Sequence, residues 1–243
     1  MGAGMAKKRS VIIYREGEKE CAKMAKAKYD RMMAAAAQPP QKLENWKPPW
    51  GGTQSTIREL KKIVQAATGE DKVKVAEQGS IKVILEAMGN HRGHAEVQQH
   101  GCNALGKLAA TAENKVKITE QGGIKVILEA MGNHRDHAEV QLYGCWALAR
   151  VAMTATGENQ VQIAEQGGIK VILEAMGNHR GHAWVQQYGC LSLLAIGWWR
   201  RDLQEQIKNA GAETLVTSAM SSSNATDSTK EQGRELLDRL ARV

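Results

Sequence analysis

An all-α solenoid built of three-helix repeats is the fold class this sequence predicts, and three observations carry the prediction. The string IKVILEAMGNHR occurs three times without change, at 81–92, 124–135 and 169–180. All four prolines (Pro39, Pro40, Pro48 and Pro49) crowd into eleven residues, which leaves the remainder of the chain free of helix breakers. The 243 residues include no Phe and only 4% aromatics, so the core has to be built from Leu, Ile, Val, Ala and Met. A period in the forties with three helical segments per unit is one solenoid repeat. Strict apolar–polar alternation is absent and Ala, Glu, Gln and Lys are abundant, which argues against strands.

Residues 1–52 read as a basic N-terminal arm, with eleven Lys and Arg against five acids. The formal net charge of the whole chain is +7, so long-range attraction to acidic partners begins at this arm. Within it, 16–37 is a helix former rich in Ala, Lys and Glu, with Cys21, Met24, Ala25, Tyr29 and Met32 along one face. The stretch 38–52, QPPQKLENWKPPWGG, reads as extended, polyproline-like chain. Trp46 and Trp50 are its only large apolar groups and are expected to anchor it, on the first repeat helices or on a partner.

The repeat domain spans 53–243. A cap helix at 53–68 resembles the end of a unit, and full units follow at 69–112, 113–157, 158–201 and 202–243. In the second unit, NKVKITEQGG is a short helix stopped by a Gly pair. IKVILEAMGN is a second helix, apolar at Ile124, Ile127, Leu128 and Met131. HAEVQLYGCWALARVAMTA is a long third helix, apolar at Val140, Leu142, Cys145, Leu148, Val151 and Ala152. Gly101, Gly144 and Gly189 recur inside helix three, where close helix packing is the reason expected. The last unit is polar and carries Arg234 where the inner units have Cys102, Cys145 and Cys190, as a terminal cap requires.

GGIKVILEAM followed by GCWALARVA resembles the armadillo repeat, and the resemblance covers nearly 80% of the chain. It implies a right-handed solenoid whose third helices line a concave groove. In that family a Trp and, four residues on, an Asn hold an extended peptide. The Trp position here reads Arg58, Asn103, Trp146, Leu191 and Glu235. The Asn position reads Lys62, Lys107, Arg150, Ala195 and Arg239. The peptide-clamping Asn series is therefore absent and cations stand in its place, which favours acidic or phosphorylated segments over basic ones. Arg58, Lys62, Asn103, Lys107, Trp146, Arg150 and Arg239 are the candidate groove residues, although Trp146 also fits a partly buried core position. Trp184 replaces the Glu96 and Glu139 of its sister units, as a surface anchor or as packing on the chain's own helices.

These observations point to a non-catalytic scaffold or adaptor that binds one or more proteins, as an accessory subunit of a larger assembly. A nucleic-acid or phosphate-binding module using arm and groove is the alternative, and the arm is also compatible with an anionic membrane surface. No nucleophile–base set and no phosphate-loop, dinucleotide or zinc-protease motif occurs, so no catalytic residue, cofactor or small-molecule substrate is expected. No apolar run of about 18 residues occurs, no secretory h-region opens the chain, and four cysteines do not make a disulfide scaffold. An intracellular protein is expected. The pairs His91/His94, His134/His137 and His179/His182 sit in the turn between helices two and three. A pair supplies two ligands where zinc needs three or four, so they read as turn residues, capping carbonyls at the end of helix two, and no metal is expected. EDTA should accordingly leave the melting temperature unchanged. A drop of several degrees, reversed by zinc, would show that a metal holds the turns.

Overall fold

The computed structural model describes residues 53–66, 79–154 and 156–243, all in one of the two units into which the chain divides. The arm, with Trp46 and Trp50, lies outside the described residues, as do residues 67–78, where the first helix of the first unit is expected. Among the described residues there are twelve helices and no strand.

The cap is α1 (Gln54–Ala66). The first unit contributes α2 (Ser80–Asn90) and α3 (Ala95–Leu108). The second is α4 (Ala112–Glu120), α5 (Gly123–Asn133) and α6 (Ala138–Ala152). The third is α7 (Glu158–Glu165), α8 (Gly168–Asn178) and α9 (Ala183–Ile196). The fourth is α10 (Arg201–Asn209), α11 (Ala212–Ser221) and α12 (Asp227–Leu240). Each third helix packs on the next, in the order α1, α3, α6, α9, α12, and the second helices form a parallel row of their own.

Each second helix is preceded by a glycine with φ between 79° and 81°, at Gly79, Gly122, Gly167 and Gly211. That left-handed conformation is strained for any residue with a Cβ, so the turn demands glycine. Helices two and three meet through a methionine laid over a glycine. A Cβ on Gly144 would lie 2.6 Å from Met131 Sδ, and one on Gly189 would lie 2.7 Å from Met176 Sδ. Met88 lies over Gly101 in the same way. The core is then filled by the staggered apolar side chains of the stacked third helices, with Leu105, Leu148 and Leu193 each fully buried.

Buried polar side chains close the remaining backbone groups. Asn114 Nδ2 donates to Leu108 O at 2.9 Å and Asn159 Nδ2 to Val151 O at 2.8 Å, so the start of each first helix satisfies a carbonyl at the end of the preceding third helix. Gln98 Nε2 donates to both Met88 O and His91 O, at 3.0 and 2.8 Å. Gln141 and Gln186 repeat this pair of bonds in the next two units. The carbonyls at the end of helix two are thus capped by glutamine. The histidines reach elsewhere: His134 Nε2 donates to Arg92 O and His179 Nε2 to Arg135 O, both at 2.7 Å, and so tie each turn to the one before it. The sequence had assigned the capping to histidine because the glutamine lies seven residues further on, in a different helix.

Two glycines of the second unit separate local propensity from packing. Gly132 lies inside α5 with nothing within 4 Å of a would-be Cβ, so Gly132→Ala should stabilise by about 0.5–1 kcal/mol. Gly144→Ala gains the same propensity yet should destabilise by about 1–2 kcal/mol net, since Met131 has to move. Urea unfolding of the two variants checks both signs.

Candidate functional site

The third helices present the same turns in successive units, so residues in register form strips across the stack. One strip holds His100, Asn103 and Lys107 on α3, and its neighbour holds Tyr143, Trp146 and Arg150 on α6. His100 stands where the next units have Tyr143 and Tyr188.

The predicted groove residues fall into distinct environments along this face. Arg58 and Lys62 are exposed on the cap helix, and Lys62 Nζ pairs with Glu59 at 3.2 Å. Lys107 and Arg150 are half-buried in adjacent units. At the third unit the series is interrupted, because Ala195 is fully buried and its carbonyl accepts from Gln160 Nε2 at 2.9 Å. In the fourth, Arg239 is held inside the fold: it pairs with Glu235 at 2.8 Å and its guanidinium lies 4.0 Å from the centre of the Trp198 ring. Of the predicted row of cations, the structure therefore brings Lys107 and Arg150 together as neighbours in register, while Arg239 is engaged in structural contacts.

The tryptophans also sort themselves. Trp146 is 2% exposed, and its ring lies so close over Gly106 of the preceding unit that a Cβ there would be 2.5 Å from Cζ3. Tyr143 meets it edge-on at 6.5 Å. The core placement that the sequence left open is thus the one observed. Trp184 is half-buried and stacked on Tyr188 one turn along its own helix, with ring centres 6.2 Å apart. Trp198, which the sequence clusters with Trp184 and Trp199 as an alternative contact surface, is fully buried.

Among the described residues, several polar atoms on the α3–α6 strip have no hydrogen-bond partner. His100 Nε2, Asn103 Oδ1, Tyr143 OH and Trp146 Nε1 are buried without a hydrogen-bond partner. Such groups cost about 1–3 kcal/mol each unless something satisfies them. The register that would have revealed them is the pairing of positions 100 with 143 and 103 with 146. The sequence shows that pairing, but not which of these side chains finds a partner.

Titratable groups here are shaped by burial. Burial pushes the thiols of Cys102, Cys145 and Cys190 up to about 12, so all three remain protonated, inert core residues. The Tyr188 phenol is pushed up to about 12 for the same reason. Burial, with the Lys61 charge beside it, lowers His100 to about 4. Among the described residues no group of three or more His, Cys, Asp or Glu side chains is placed to hold a metal ion. No described helix is long and apolar enough to cross a membrane.

The family model of the LRRK2 ARM repeat matches residues 55–242. The chain belongs to this armadillo repeat family. Two crystal structures of engineered proteins share the fold. One has a TM-score of 0.71 at 18% identity, covering 80% of this chain and 78% of the other. The second has a TM-score of 0.67 at 19% identity, covering 79% and 45%. A designed armadillo repeat protein is similar at a TM-score of 0.50 and 16% identity, over 79% of this chain and 96% of its own. No curated protein matches the sequence. At these identities the likeness is one of fold, and the armadillo solenoid is generally a protein-binding scaffold.

Burial of His100 predicts a pH-dependent stability for this armadillo domain. Its folded pKa lies below the unfolded value of 6.5, so the unfolded chain binds the extra proton between pH 6.5 and about 4. Stability present at neutral pH is therefore lost as pH falls through that window, by up to about 3 kcal/mol. His100→Tyr, which installs the residue of the sister units, should remove this contribution. Between pH 7 and pH 5 the unfolding free energy of the parent should fall by about 2 kcal/mol more than that of the variant; an equal change in both would show that His100 does not carry it.

Proposed function

We propose that this armadillo domain is a non-catalytic scaffold that binds an extended, acidic or phosphorylated segment of a partner protein across α3 and α6, as an accessory subunit of a larger assembly inside the cell. The observation that supports this is the pair of half-buried cations Lys107 and Arg150, in register on α3 and α6. Each lies one turn beyond Asn103 or Trp146 of its own helix. The cations one turn further on would orient an acidic side chain, since charge-assisted bonds contribute about 1.5–3 kcal/mol each.

Lys107→Gln with Arg150→Gln removes both charges without reversing either. The expected outcome is a folded protein, by circular dichroism, whose affinity for an acidic peptide falls at least tenfold, measured by calorimetry. Unchanged affinity would place the binding surface elsewhere. A partner affinity that collapses by decades between 50 and 200 mM salt would instead favour nucleic acid.

A further inference from the structure

The first unit ends in an open copy of a surface that is covered in the two units after it. In the second unit, Val126, Glu129, Ala130 and His134 of α5 and its C-cap face the preceding unit's α2 and the turn that follows it. Arg92 of that turn reaches Glu129 at 4.0 Å, and His134 Nε2 donates to Arg92 O at 2.7 Å. The third unit repeats the arrangement one step along: Arg135 reaches Glu174 at 3.9 Å, and His179 donates to Arg135 O at 2.7 Å. Each covered surface thus makes an apolar contact, an ion pair and a hydrogen bond with a second helix and its arginine-bearing turn.

In the first unit the same positions are Val83, Glu86, Ala87 and His91. Val83 is 46% exposed, whereas Val126 and Val171 are half-buried. Ala87 is half-buried where Ala130 and Ala175 are 3% and 2% exposed. The Glu86 side chain is 60% exposed against 38% and 36% for Glu129 and Glu174, and its recorded ion pair is with Lys82 of its own helix at 3.8 Å. His91 Nε2 has the Thr56 hydroxyl at 3.4 Å in place of a carbonyl at 2.7 Å. A cavity of about 440 Å³ lies beside these residues, with Leu60 and Ile63 of α1 on its far wall. Among the described residues, the second-helix partners that supply all three kinds of contact in the later units are thus missing together, at one place.

We propose that this surface is a docking seat for a helix of a partner protein with the chemistry of this chain's own second helix: a small apolar face, a C-terminal turn bearing an arginine, and a free carbonyl in that turn. The arginine meets Glu86, the carbonyl accepts from His91 Nε2, and the apolar face covers Val83 and Ala87. The seat lies on the row of second helices and is separate from the α3–α6 strip. A second copy of this chain does not present that chemistry on an open helix: Arg180 is exposed, but α8 before it is packed against α11. Arg92 and Arg135 are engaged inside their own solenoid, and the fourth unit has Ser222, Ser223 and Asn224 in the turn, with Asn224 Nδ2 already donating to Gly181 O.

The probe is a synthetic peptide of residues 122–136, GGIKVILEAMGNHRD, added to the full-length chain and followed by NMR. Saturable shifts at the Val83 methyls, Ala87 and the His91 ring, with a dissociation constant on the order of 0.1–1 mM, are expected, because a short helix has to order itself on binding. Replacing the peptide's Arg135 by Glu should weaken binding about tenfold, and Glu86→Arg in the protein should restore the altered peptide while weakening the original. Should Glu86→Arg fail to fold, Val83→Asp, at an exposed position, should abolish the shifts. No saturation at millimolar peptide, equal affinity for both peptides, or shifts confined to α3 and α6 would overturn the proposal. So would shifts that emerge only after residues 1–52 are deleted, which would give the seat to the chain's own segment. Concentration-dependent dimerisation that the peptide competes away would give it to a second copy.

Discussion

Each inner unit depends on one buried glutamine amide. Helix two ends inside the protein, where its last carbonyls have no water to bond. Gln98, Gln141 and Gln186, between 2% and 4% exposed, each reach back from helix three and donate to two of those carbonyls. The amide therefore does more than satisfy a helix end. By joining the end of helix two to the first turn of helix three it holds the angle between them, and with that angle it sets how methionine meets glycine further along. It also holds the turn so that the histidine ring and the arginine point to opposite neighbours. Losing such a side chain would strand buried acceptors at about 1–3 kcal/mol each.

The consequence is a solenoid with one rigid row and one variable row. Second helices are nearly identical and joined by a repeated set of contacts: Lys82–Glu86, Lys125–Glu129 and Lys170–Glu174 within each helix, Arg92–Glu129 and Arg135–Glu174 between them. Exposed pairs of this kind contribute little individually, but they keep the units in register. Third helices carry the differences: His100 against Tyr143 and Tyr188, Asn103 against Trp146 and Leu191. A stack held at its second helices can vary its third helices without changing its pitch, which suits a binding face. Register also ends visibly at the fourth unit, where Ser223 stands at the histidine position, Asn224 bonds Gly181 O from the arginine position, and Ser218 stands where Glu129 and Glu174 stand in the units before it.

Much of this was legible because the chain repeats itself. The second helix, the glycine turns and the methionine–glycine spacing could be read from three identical strings, and the helices lie within a few residues of the expected bounds. The buried glutamine was equally visible, as the same polar residue at the same place in three apolar helices, but its partners could not be. They lie seven and ten residues back, across a turn whose direction depends on packing. The histidines were correctly placed in the turns, yet their acceptors belong to the unit before, about 43 residues away. Arg239 in register with Lys107 and Arg150 suggested one continuous row of charge, and nothing local to it announces that Glu235 and the Trp198 ring will hold it inside the fold.

By itself the sequence determined whatever depends on spacing along the chain: helices rather than strands, a repeating solenoid, and which residues share a register. These follow from the periodicity of a helix and from glycine at positions where φ is positive, both local properties. Only the tertiary structure decided which aligned residues are open and which are covered, because burial depends on the neighbour in space. Trp146 shares its register with exposed Arg58 and yet lies 2% exposed against Gly106. Val83 shares its register with Val126 and yet is 46% exposed, because no described second helix precedes it.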